Sequence, residues 1–463
     1  MRPENSTWFL AAALFAGPAL GEVPVVLDGY RGIWYSNQPS HDEYRFKYSG
    51  GFATYPHQQS PIAIHVPSQQ KTFFCYGGSV EGKQELLIMV SYFDHRTGLV
   101  PRPTQLLNKK TNDAHDNPVM AIDDGGHLWI FSNAHGTVRP SYIHRSRRPF
   151  DIREFDLVRT TNFSYGHPWF HRGQGFFFLH TIYEDGGRSL YWSTSLDGRE
   201  WTPARLFARV DLGHYQVTAH ASGRSATAFN FHPKPLGLNA RTNLYYAETR
   251  DLGQIWTTVS GQILNLPLRS ADNPALVHNY QAERRLVYLK DLAFEADGHP
   301  VILYLTSNGY EAGPKNDPRI WHTARWTGKN WEIREFARSD HNYDFGAIWI
   351  EPGGTWRIIA PTEPGPQPYM AGGDMVMWLS RDRGGSWKRV KRLTAAREKN
   401  HTYARRPVNA HPQFYALWAD GDTKKPSESH LYFTDREGTA VWRLPPRMSG
   451  EFAKPERIPL PAN

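Results

Sequence analysis

The chain has 463 residues, a formal net charge of +8 and an aromatic content of 14%. It holds one cysteine, and it lacks a glycine-rich phosphate loop, an H-E-x-x-H helix and paired C-x-x-C motifs. An internal disulfide is therefore excluded, and nucleotide enzymes and the common zinc hydrolases are poor candidates. The positive charge suits an acidic polysaccharide as the partner and equally suits generic surface charge. Because the basic residues are scattered rather than grouped, we expect no nucleic acid.

An apolar segment near the N-terminus predicts export. Trp8–Ala16 is hydrophobic and follows a short region with Arg2, and Ala19–Gly21 offers small residues for cleavage. We therefore expect residues 1–21 to be a signal peptide and the mature protein to be secreted or periplasmic. The apolar run is too short to span a bilayer, and no other segment approaches the needed length, so no membrane partner is expected.

Three copies of one short pattern follow strand-like runs. Thr249–Trp256 and Ser380–Trp387 both read [ST]-x-D-x-G-x-x-W, and Ser195–Trp201 is the same pattern one residue shorter. The Asp of such a turn accepts hydrogen bonds from backbone amides, the Gly takes positive φ, and the Trp folds back onto the sheet. The pattern is the Asp box of β-propeller proteins.

Weaker copies extend the repeat to seven anchors, near residues 93, 145, 195, 249, 323, 380 and 434. Their spacing is about 50 to 57 residues, which suits one four-stranded blade, except for one interval of about 74 residues. We predict an all-β fold, a seven-bladed β-propeller with Asp-box-like turns, in which residues 22–463 form one catalytic domain. The long interval predicts an insertion at Leu264–Arg284, and Cys75 is expected to be a buried small hydrophobe.

Function in a propeller is carried by loops at one face, so polar clusters that interrupt the strands are the candidates. One cluster, Asn112–Pro118, contains His115, and a second, Ser132–Tyr142, contains His135 and Arg139. A hairpin of this length would place the two histidines at the same end of neighbouring strands. The alternative is that both clusters are ordinary polar turns.

Two further clusters lie downstream, and one lies upstream. Gly213–Gln216 contains Tyr215, and the following loop offers a histidine and two cations, namely His232, Lys234 and Arg241. Tyr215 could equally be a buried core residue, and Lys234 a solvated charge. The aromatic and basic stretch Tyr44–Ser60, which contains His57, suits either sugar binding or packing of the first blade.

Two His, a Tyr and a nearby cation suit β-elimination from a uronic acid. A base removes the C5 proton, and a cation or hydrogen-bond donor neutralises the charge that spreads into the carboxylate. An acid then protonates the departing O4. A glycosidase would normally require a pair of carboxylates instead.

The residues also carry a family resemblance. The segments that carry it are Gly29–Tyr35, Lys47–Gly51, Asp113–Pro118, His135–Gly136, Arg139–Tyr142 and Gly213–Gln216. In these segments the chain resembles the BNR-repeat propeller group. That group contains ulvan lyases and α-L-rhamnosidases that release rhamnose from rhamnosyl-glucuronate. The resemblance implies two His, a Tyr and an Arg at one face of a seven-bladed propeller. It places His115, His135 and Tyr215 in the first three roles and leaves the cation open between Arg139, Lys234 and Arg241.

The resulting hypothesis is a secreted lyase that cleaves a uronate-containing, ulvan-like polysaccharide. His115 and Tyr215 would be the base and acid pair, His135 and a cation would bind the carboxylate, and His232 would contact substrate. We expect a monomer that needs no cofactor, although the resemblance allows a structural metal ion. The alternatives are an exo-α-L-rhamnosidase that uses His57 and a non-catalytic propeller that binds acidic glycans.

Overall fold

The computed structural model describes residues 24–52, 59–221 and 223–461. The predicted signal peptide and His57 lie outside the described residues. Within them the regular structure consists of short β-strands and a few single turns of 3-10 helix. None of the helices in this part of the chain is long and apolar enough to cross a lipid bilayer.

The strands are short and follow one another in regular order. The first half of the chain contains β1 (Val25–Val26), β2 (Gly32–Pro39), β3 (Phe46–Gly50), β4 (Ala63–Val66), β5 (Lys71–Gly78), β6 (Leu87–Asp94), β7 (Val100–Pro101), β8 (Thr104–Asn108), β9 (Pro118–Ile122), β10 (Leu128–Ser132), β11 (Ser141–Ser146), β12 (Phe155–Thr161), β13 (Ser164–His171), β14 (Gly175–Glu184), β15 (Gly187–Ser195), β16 (Arg205–Ala208), β17 (Gln216–Ala221) and β18 (Arg224–Phe231). The second half contains β19 (Thr242–Thr249), β20 (Leu276–His278), β21 (Leu286–Phe294), β22 (Pro300–Ser307), β23 (Arg319–Trp326), β24 (Trp331–Ser339), β25 (Ala347–Ile350), β26 (Trp356–Glu363), β27 (Asp374–Ser380), β28 (Lys388–Arg392), β29 (Asn400–Arg405), β30 (Ala416–Gly421), β31 (Ser427–Ser429), β32 (Leu431–Thr434), β33 (Val441–Arg443), β34 (Phe452–Ala453) and β35 (Glu456–Ile458). The 3-10 turns are Pro67–Gln69, Ala114–Asp116, Lys234–Leu236 and Pro314–Asn316.

These strands form the blades of a β-propeller, as the repeat predicts. Blades 2 to 6 are the four-stranded sheets β9–β12, β13–β16, β17–β20, β21–β24 and β25–β28. Blade 7 consists of β29, β30, β32 and β33 with β35 at its outer edge, and blade 1 lies within a larger curled sheet that contains β4, β5, β6 and β8. The first strands of neighbouring blades meet around the axis, since β9 contacts β13, β17 contacts β21, and β21 contacts β25.

The two ends of the described chain meet between the first and last blades. β2 pairs with β31 through Gly32 and Ser429, and Ile64 of β4 forms a parallel bridge with Val408. Cys75 lies in the adjoining strand β5 and is fully buried and free, in agreement with the sequence prediction. The ring is therefore closed by strand pairing and side-chain packing rather than by a disulfide.

All seven sequence anchors lie at the end of the third strand of a blade, namely β6, β11, β15, β19, β23, β27 and β32. In the blade 4 copy, Asp251 Oδ1 accepts the Ile255 amide at 2.9 Å and the Thr249 hydroxyl at 2.8 Å. Gly253 has a φ of +84°, which a residue with a side chain would adopt only under strain. The long interval arises in blade 4, where residues 250–275 join β19 to β20 and overlap the predicted insertion.

The direction of the strands separates two faces. Because each third strand ends at an Asp-box turn or at a weaker copy of it, its start lies at the opposite face. The hairpin from the second strand and the link from the preceding blade lie at that opposite face too. His135 and Arg139 lie in such a hairpin, between β10 and β11, and His115 lies in the link from blade 1 to blade 2. The candidate residues are thus presented on the face away from the Asp boxes.

The Asp-box tryptophan of blade 4 should carry much of the local stability. Trp256 is 2% exposed, and its ring lies 4.6 Å from that of Phe207 and 5.8 Å from that of Trp192. We expect Trp256→Ala to lower the free energy of unfolding by about 3–5 kcal/mol, the usual cost of deleting a buried aromatic ring. Chemical denaturation measures this change. Ile255→Ala, at a neighbouring side chain that is 50% exposed, should change it by less than about 0.5 kcal/mol.

Candidate active site

One carboxylate organises the two candidate histidines. Asp113 precedes the 3-10 turn Ala114–Asp116, and its Oδ1 accepts the backbone amide of His115 at 3.1 Å. The same oxygen lies 2.5 Å from His115 Nδ1, and Oδ2 lies 2.7 Å from His135 Nδ1. The two imidazole rings stack, with centroids 3.9 Å apart and an angle of 15° between their planes. The structure therefore brings together two residues that are 20 positions apart in sequence.

These contacts determine the tautomer of both rings. Burial opposes ionisation of Asp113, but the hydrogen bonds and charges of His115 and His135 hold its carboxyl pKa well below the usual range. An ionised carboxylate only accepts hydrogen bonds, so each Nδ1 carries a proton and, in the neutral ring, each Nε2 has a lone pair. Burial, together with the positive charges of His135 and Arg188, lowers the pKa of His115 to about 4, although Asp113 opposes the shift. His115 is therefore a neutral base at ordinary pH.

A second carboxylate supports the first. Asp116 is fully buried, and its Oδ1 accepts the backbone amide of His135 at 3.0 Å. Arg139 donates from Nε to Asp116 Oδ2 at 2.8 Å and from Nη2 to Asp113 Oδ2 at 3.0 Å. Lys109 Nζ lies 3.2 Å from Asp116 Oδ2. The guanidinium of Arg139, a predicted substrate-binding group, is thus engaged by the two carboxylates behind the histidines.

Two tyrosines connect the histidines to the next blades. The Tyr165 ring lies 6.2 Å from His115 and 5.3 Å from Tyr215, both in edge-on geometry. The Tyr183 ring lies 5.9 Å from His135, and the hydroxyls of Tyr165 and Tyr183 are 3.0 Å apart. His115, His135 and Tyr215 therefore lie around one polar aromatic cluster on the same face of the propeller.

Tyr215 lies between two arginines. The guanidinium carbon of Arg188 lies 5.0 Å from the centroid of the Tyr215 ring, and that of Arg241 lies 4.7 Å from it. Arg188 also donates from Nε to the Tyr183 hydroxyl at 3.1 Å. Tyr215 itself is 2% exposed. Cations of this kind attract an anionic ligand bound beside the ring.

The other predicted binding residues have different surroundings. Arg241 is surrounded by aromatic rings, with its guanidinium carbon also 4.7 Å from the Tyr288 centroid and its Nη2 3.1 Å from the Tyr343 hydroxyl. His232 is fully buried, donates from Nδ1 to Ala240 O at 2.7 Å, and has its Nε2 3.5 Å from Arg188 Nη1. Lys234 is exposed, and its backbone amide donates to Asp211. Within the described residues, its ammonium group makes no ion pair with the cluster.

Sequence reasoning overlooked Arg188, Tyr165 and Tyr183. A signal for Arg188 was present: Asp185-Gly186 is a two-residue turn with φ of +44° and +76°, typical of a tight hairpin. This turn precedes β15 and the Asp box follows β15, so the turn lies at the face opposite to the Asp boxes. His214, beside Tyr215, is instead a structural residue, because Nδ1 contacts Asn230 O at 2.7 Å and Nε2 accepts the Val210 amide at 3.0 Å.

Two clusters in the described part of the chain have a suitable geometry for a metal ion. They are Asp113 with His115 and His135, and the group Glu295, Asp297 and His299. In the first group, Arg139 and the Nδ1 atoms of His115 and His135 already contact the Asp113 carboxylate. In the second, Arg325 lies 2.7 Å and Arg383 3.5 Å from the Glu295 carboxylate. Arginine therefore already neutralises a carboxylate of each group, and we assign neither as a metal site.

Comparisons with known proteins agree with this architecture. The ulvan lyase of Alteromonas sp. (strain LOR) is 24% identical over 433 residues, which cover 81% of this chain and 84% of that protein. The structure of an ulvan lyase of polysaccharide lyase family PL25 matches with a TM-score of 0.69 at 16% identity and covers 89% of this chain and 96% of its own. The polysaccharide lyase Uly1 matches with a TM-score of 0.62 at 13% identity, over 90% and 99% of the two chains. At these identities the solved structures establish the shared fold.

The repeat itself is recognised independently. The sequence model of the BNR repeat-containing family matches residues 100–339, a region that includes His115, His135, Arg188 and Tyr215. Because this match covers more than half of the chain, the protein belongs to the BNR repeat-containing family.

Proposed function

We propose that this protein is a polysaccharide lyase that cleaves a uronate-containing, ulvan-like polymer by β-elimination. The observation that carries the proposal is the grouping of two oriented imidazoles, a phenol and two arginines on one face of the propeller. The structural relatives support the substrate class, since one PL25 ulvan lyase structure was determined with -[GlcA(1-4)Rha3S]- bound. The basic charge of the chain suits such an anionic polymer.

The groups match the steps of the reaction. A base takes the proton from C5 of the uronate, the C4–O4 bond breaks, a C4=C5 double bond forms, and an acid protonates O4. His115 Nε2 and the Tyr215 hydroxyl are the proposed base and acid pair, and the stereochemistry at C5 decides which of them removes the proton. Asp113 stabilises the orientation of His115 and any positive charge that develops on the ring.

The uronate carboxylate needs a positive partner in the transition state. Arg188 is the proposed partner, because it is only partly buried and lies beside both Tyr215 and Tyr183. Arg139 is less suited, since its guanidinium already binds Asp113 and Asp116. His135, with 31% of its side chain exposed, would assist Arg188 as a hydrogen-bonding group.

Loss of either proposed proton-transfer group should abolish most of the activity. We expect His115→Ala and Tyr215→Phe each to lower kcat by roughly 100-fold or more, the usual contribution of a general acid or base. Ultraviolet absorbance of the unsaturated uronate product measures the rate, and circular dichroism confirms folding. Full activity in either folded variant would refute the mechanism. Release of rhamnose without new absorbance would instead indicate a rhamnosidase, and binding without product a glycan-binding propeller.

The activity should persist to unusually low pH for a histidine-dependent enzyme. Because the pKa of His115 is lowered to about 4, its Nε2 stays unprotonated as the pH falls, until the pH approaches that value. If His115 is the base, kcat/KM should fall on the acid side near pH 4 rather than near 6.5. An acid limb near 6.5 would contradict this assignment. Folding is monitored at each pH, because a depressed histidine pKa also costs stability between about 6.5 and 4.

The arginine assignment can be tested against Lys234, one of the three cations that the sequence left open for this role. We expect Arg188→Ala to lower kcat/KM by roughly 100-fold, as for loss of a group that stabilises developing negative charge. Lys234→Ala, at an exposed residue, should lower it less than about fivefold. Both are measured with the same uronate polymer. The reverse order of effects would move the carboxylate-binding role from Arg188 to Lys234.

A further inference from the structure

A pocket large enough for a sugar lies between blades 1 and 2, apart from the candidate active site. Its volume is about 490 Å³, within the range of pockets that hold small ligands. Its walls come from β1, from β5 to β8, from the segment after β11 and from the C-terminal segment. Because β6 and β11 are third strands, and the lining residues lie at or after their ends, the pocket is at the Asp-box face. It is therefore on the face opposite to His115 and Tyr215.

The C-terminal segment forms one wall of this pocket and is held in place. β34 pairs with β7, and Arg102 Nε donates to Gly450 O at 2.9 Å. Arg102 Nη2 donates to Met448 O at 3.0 Å and to Ser449 O at 3.2 Å. Phe452 follows in the same wall and is 52% exposed. The wall is thus ordered before any ligand binds, and it presents an aromatic ring to solvent.

Three residues of the pocket offer hydrogen-bond donors that are still available. Lys71 Nζ lies 4.0 Å from the centroid of the Tyr92 ring. Within the described part of the chain, the Lys71 ammonium, the Tyr92 hydroxyl and Arg102 Nη1 make no hydrogen bond, and none of them is sealed from solvent. Donors that water reaches and that no protein group uses can bind the oxygen atoms of a ligand.

The pocket also carries a surplus of positive charge. Its lining cations are Lys71, Arg102 and Arg153, and its lining carboxylates are Asp151 and Glu451. Arg153 neutralises Asp151, to which it donates from Nε at 3.0 Å and from Nη2 at 2.5 Å. Burial lowers the pKa of Lys71, while Asp94 and Asp151 oppose this shift. Among the described residues, no carboxylate forms an ion pair with Lys71 or Arg102, so both can receive an anionic group.

We infer that this pocket is a second, non-catalytic binding site for an acidic polysaccharide. Lys71 and Arg102 bind the carboxylate of a uronate, and the Phe452 ring covers the apolar face of a sugar. The inference rests on the proposed function only for the identity of the polymer. Because the two sites lie on opposite faces, the protein can hold one stretch of polymer while another enters the candidate site, which raises the effective concentration of polymer there.

The first test is native electrophoresis in gels that contain ulvan. It uses an Arg188→Ala background, which weakens both cleavage and binding at the candidate site. We expect Lys71→Gln and Phe452→Ala each to raise the apparent Kd roughly fivefold or more, as for loss of one charged hydrogen bond or one aromatic contact. Circular dichroism confirms folding, and if Lys71→Gln does not fold, Phe452→Ala decides.

Matched controls separate the pocket from general surface effects. Lys388→Gln changes the net charge by the same amount at an exposed lysine of blade 6, and Leu196→Ala removes an apolar side chain that is 85% exposed. Both should be retarded as strongly as the background protein. Equal retardation of pocket and control variants, or no retardation of the background protein, would overturn the inference.

The second test locates the ligand directly. Crystals soaked with an ulvan tetrasaccharide should show a sugar in the pocket, with its carboxylate at Lys71 Nζ and Arg102 Nη1. Saccharide at the candidate site alone, or a pocket filled by the N-terminal segment or by a second copy of the chain, would contradict the assignment. Neither test measures cleavage. Binding in the pocket without any lyase activity would support this site and refute the proposed function, and cleavage with an empty pocket would do the reverse.

Discussion

The candidate site depends on one carboxylate that accepts a proton-bearing nitrogen from each of two stacked imidazoles. Asp113 holds His115 and His135 by Nδ1 and so leaves both Nε2 atoms as acceptors. Without this carboxylate, two parallel rings 3.9 Å apart would have no reason to share a tautomer or an orientation. Arg139 balances the charge of Asp113, and Asp116 fixes the loop that carries His135 by accepting its backbone amide.

The propeller makes this arrangement economical in chain length. Each blade contributes one hairpin and one inter-blade link to the same face, so residues from blades 2, 3 and 4 meet without any long loop. Tyr183 and Arg188 flank a two-residue turn, yet they contact the histidine cluster and Tyr215. The Asp boxes lie at the opposite face, where they form the turn between the third and fourth strands of a blade.

The region near the axis also connects to the face that carries the candidate site. Arg405 donates to Gln59 O, and the Gln59 side chain donates to His115 O at 2.6 Å. The loop that carries His115 is therefore held by two contacts: Asp113 binds the His115 ring, and Arg405 acts on the His115 backbone through Gln59. Closure of the ring between blades 1 and 7 thus helps to position a residue of the link between blades 1 and 2.

Sequence reasoning reached the fold and part of the site. Three Asp-box turns located the third strands of blades 3, 4 and 6 because their signal is local: an Asp, a Gly and a Trp at set positions define one turn. The even spacing of four weaker copies located the other third strands. The grouping of His115 with His135 was likewise predictable, since both belong to polar clusters that flank one pair of neighbouring strands. Arg188 was overlooked because a single arginine after a tight turn has no distinctive neighbours, and the role of Arg139 depends on carboxylates that only the fold brings to it.

The sequence by itself thus determined the repeat, the blade boundaries and the short segments able to carry polar chemistry, because each is encoded within a few consecutive residues. The tertiary structure decided which cations face Tyr215, which one Asp113 and Asp116 engage, and that Arg405 supports the His115 loop through Gln59. Those relations join residues 23 to 346 positions apart. Hydrogen-bond geometry and burial, which set the charge and tautomer of each group, exist only once the ring has closed.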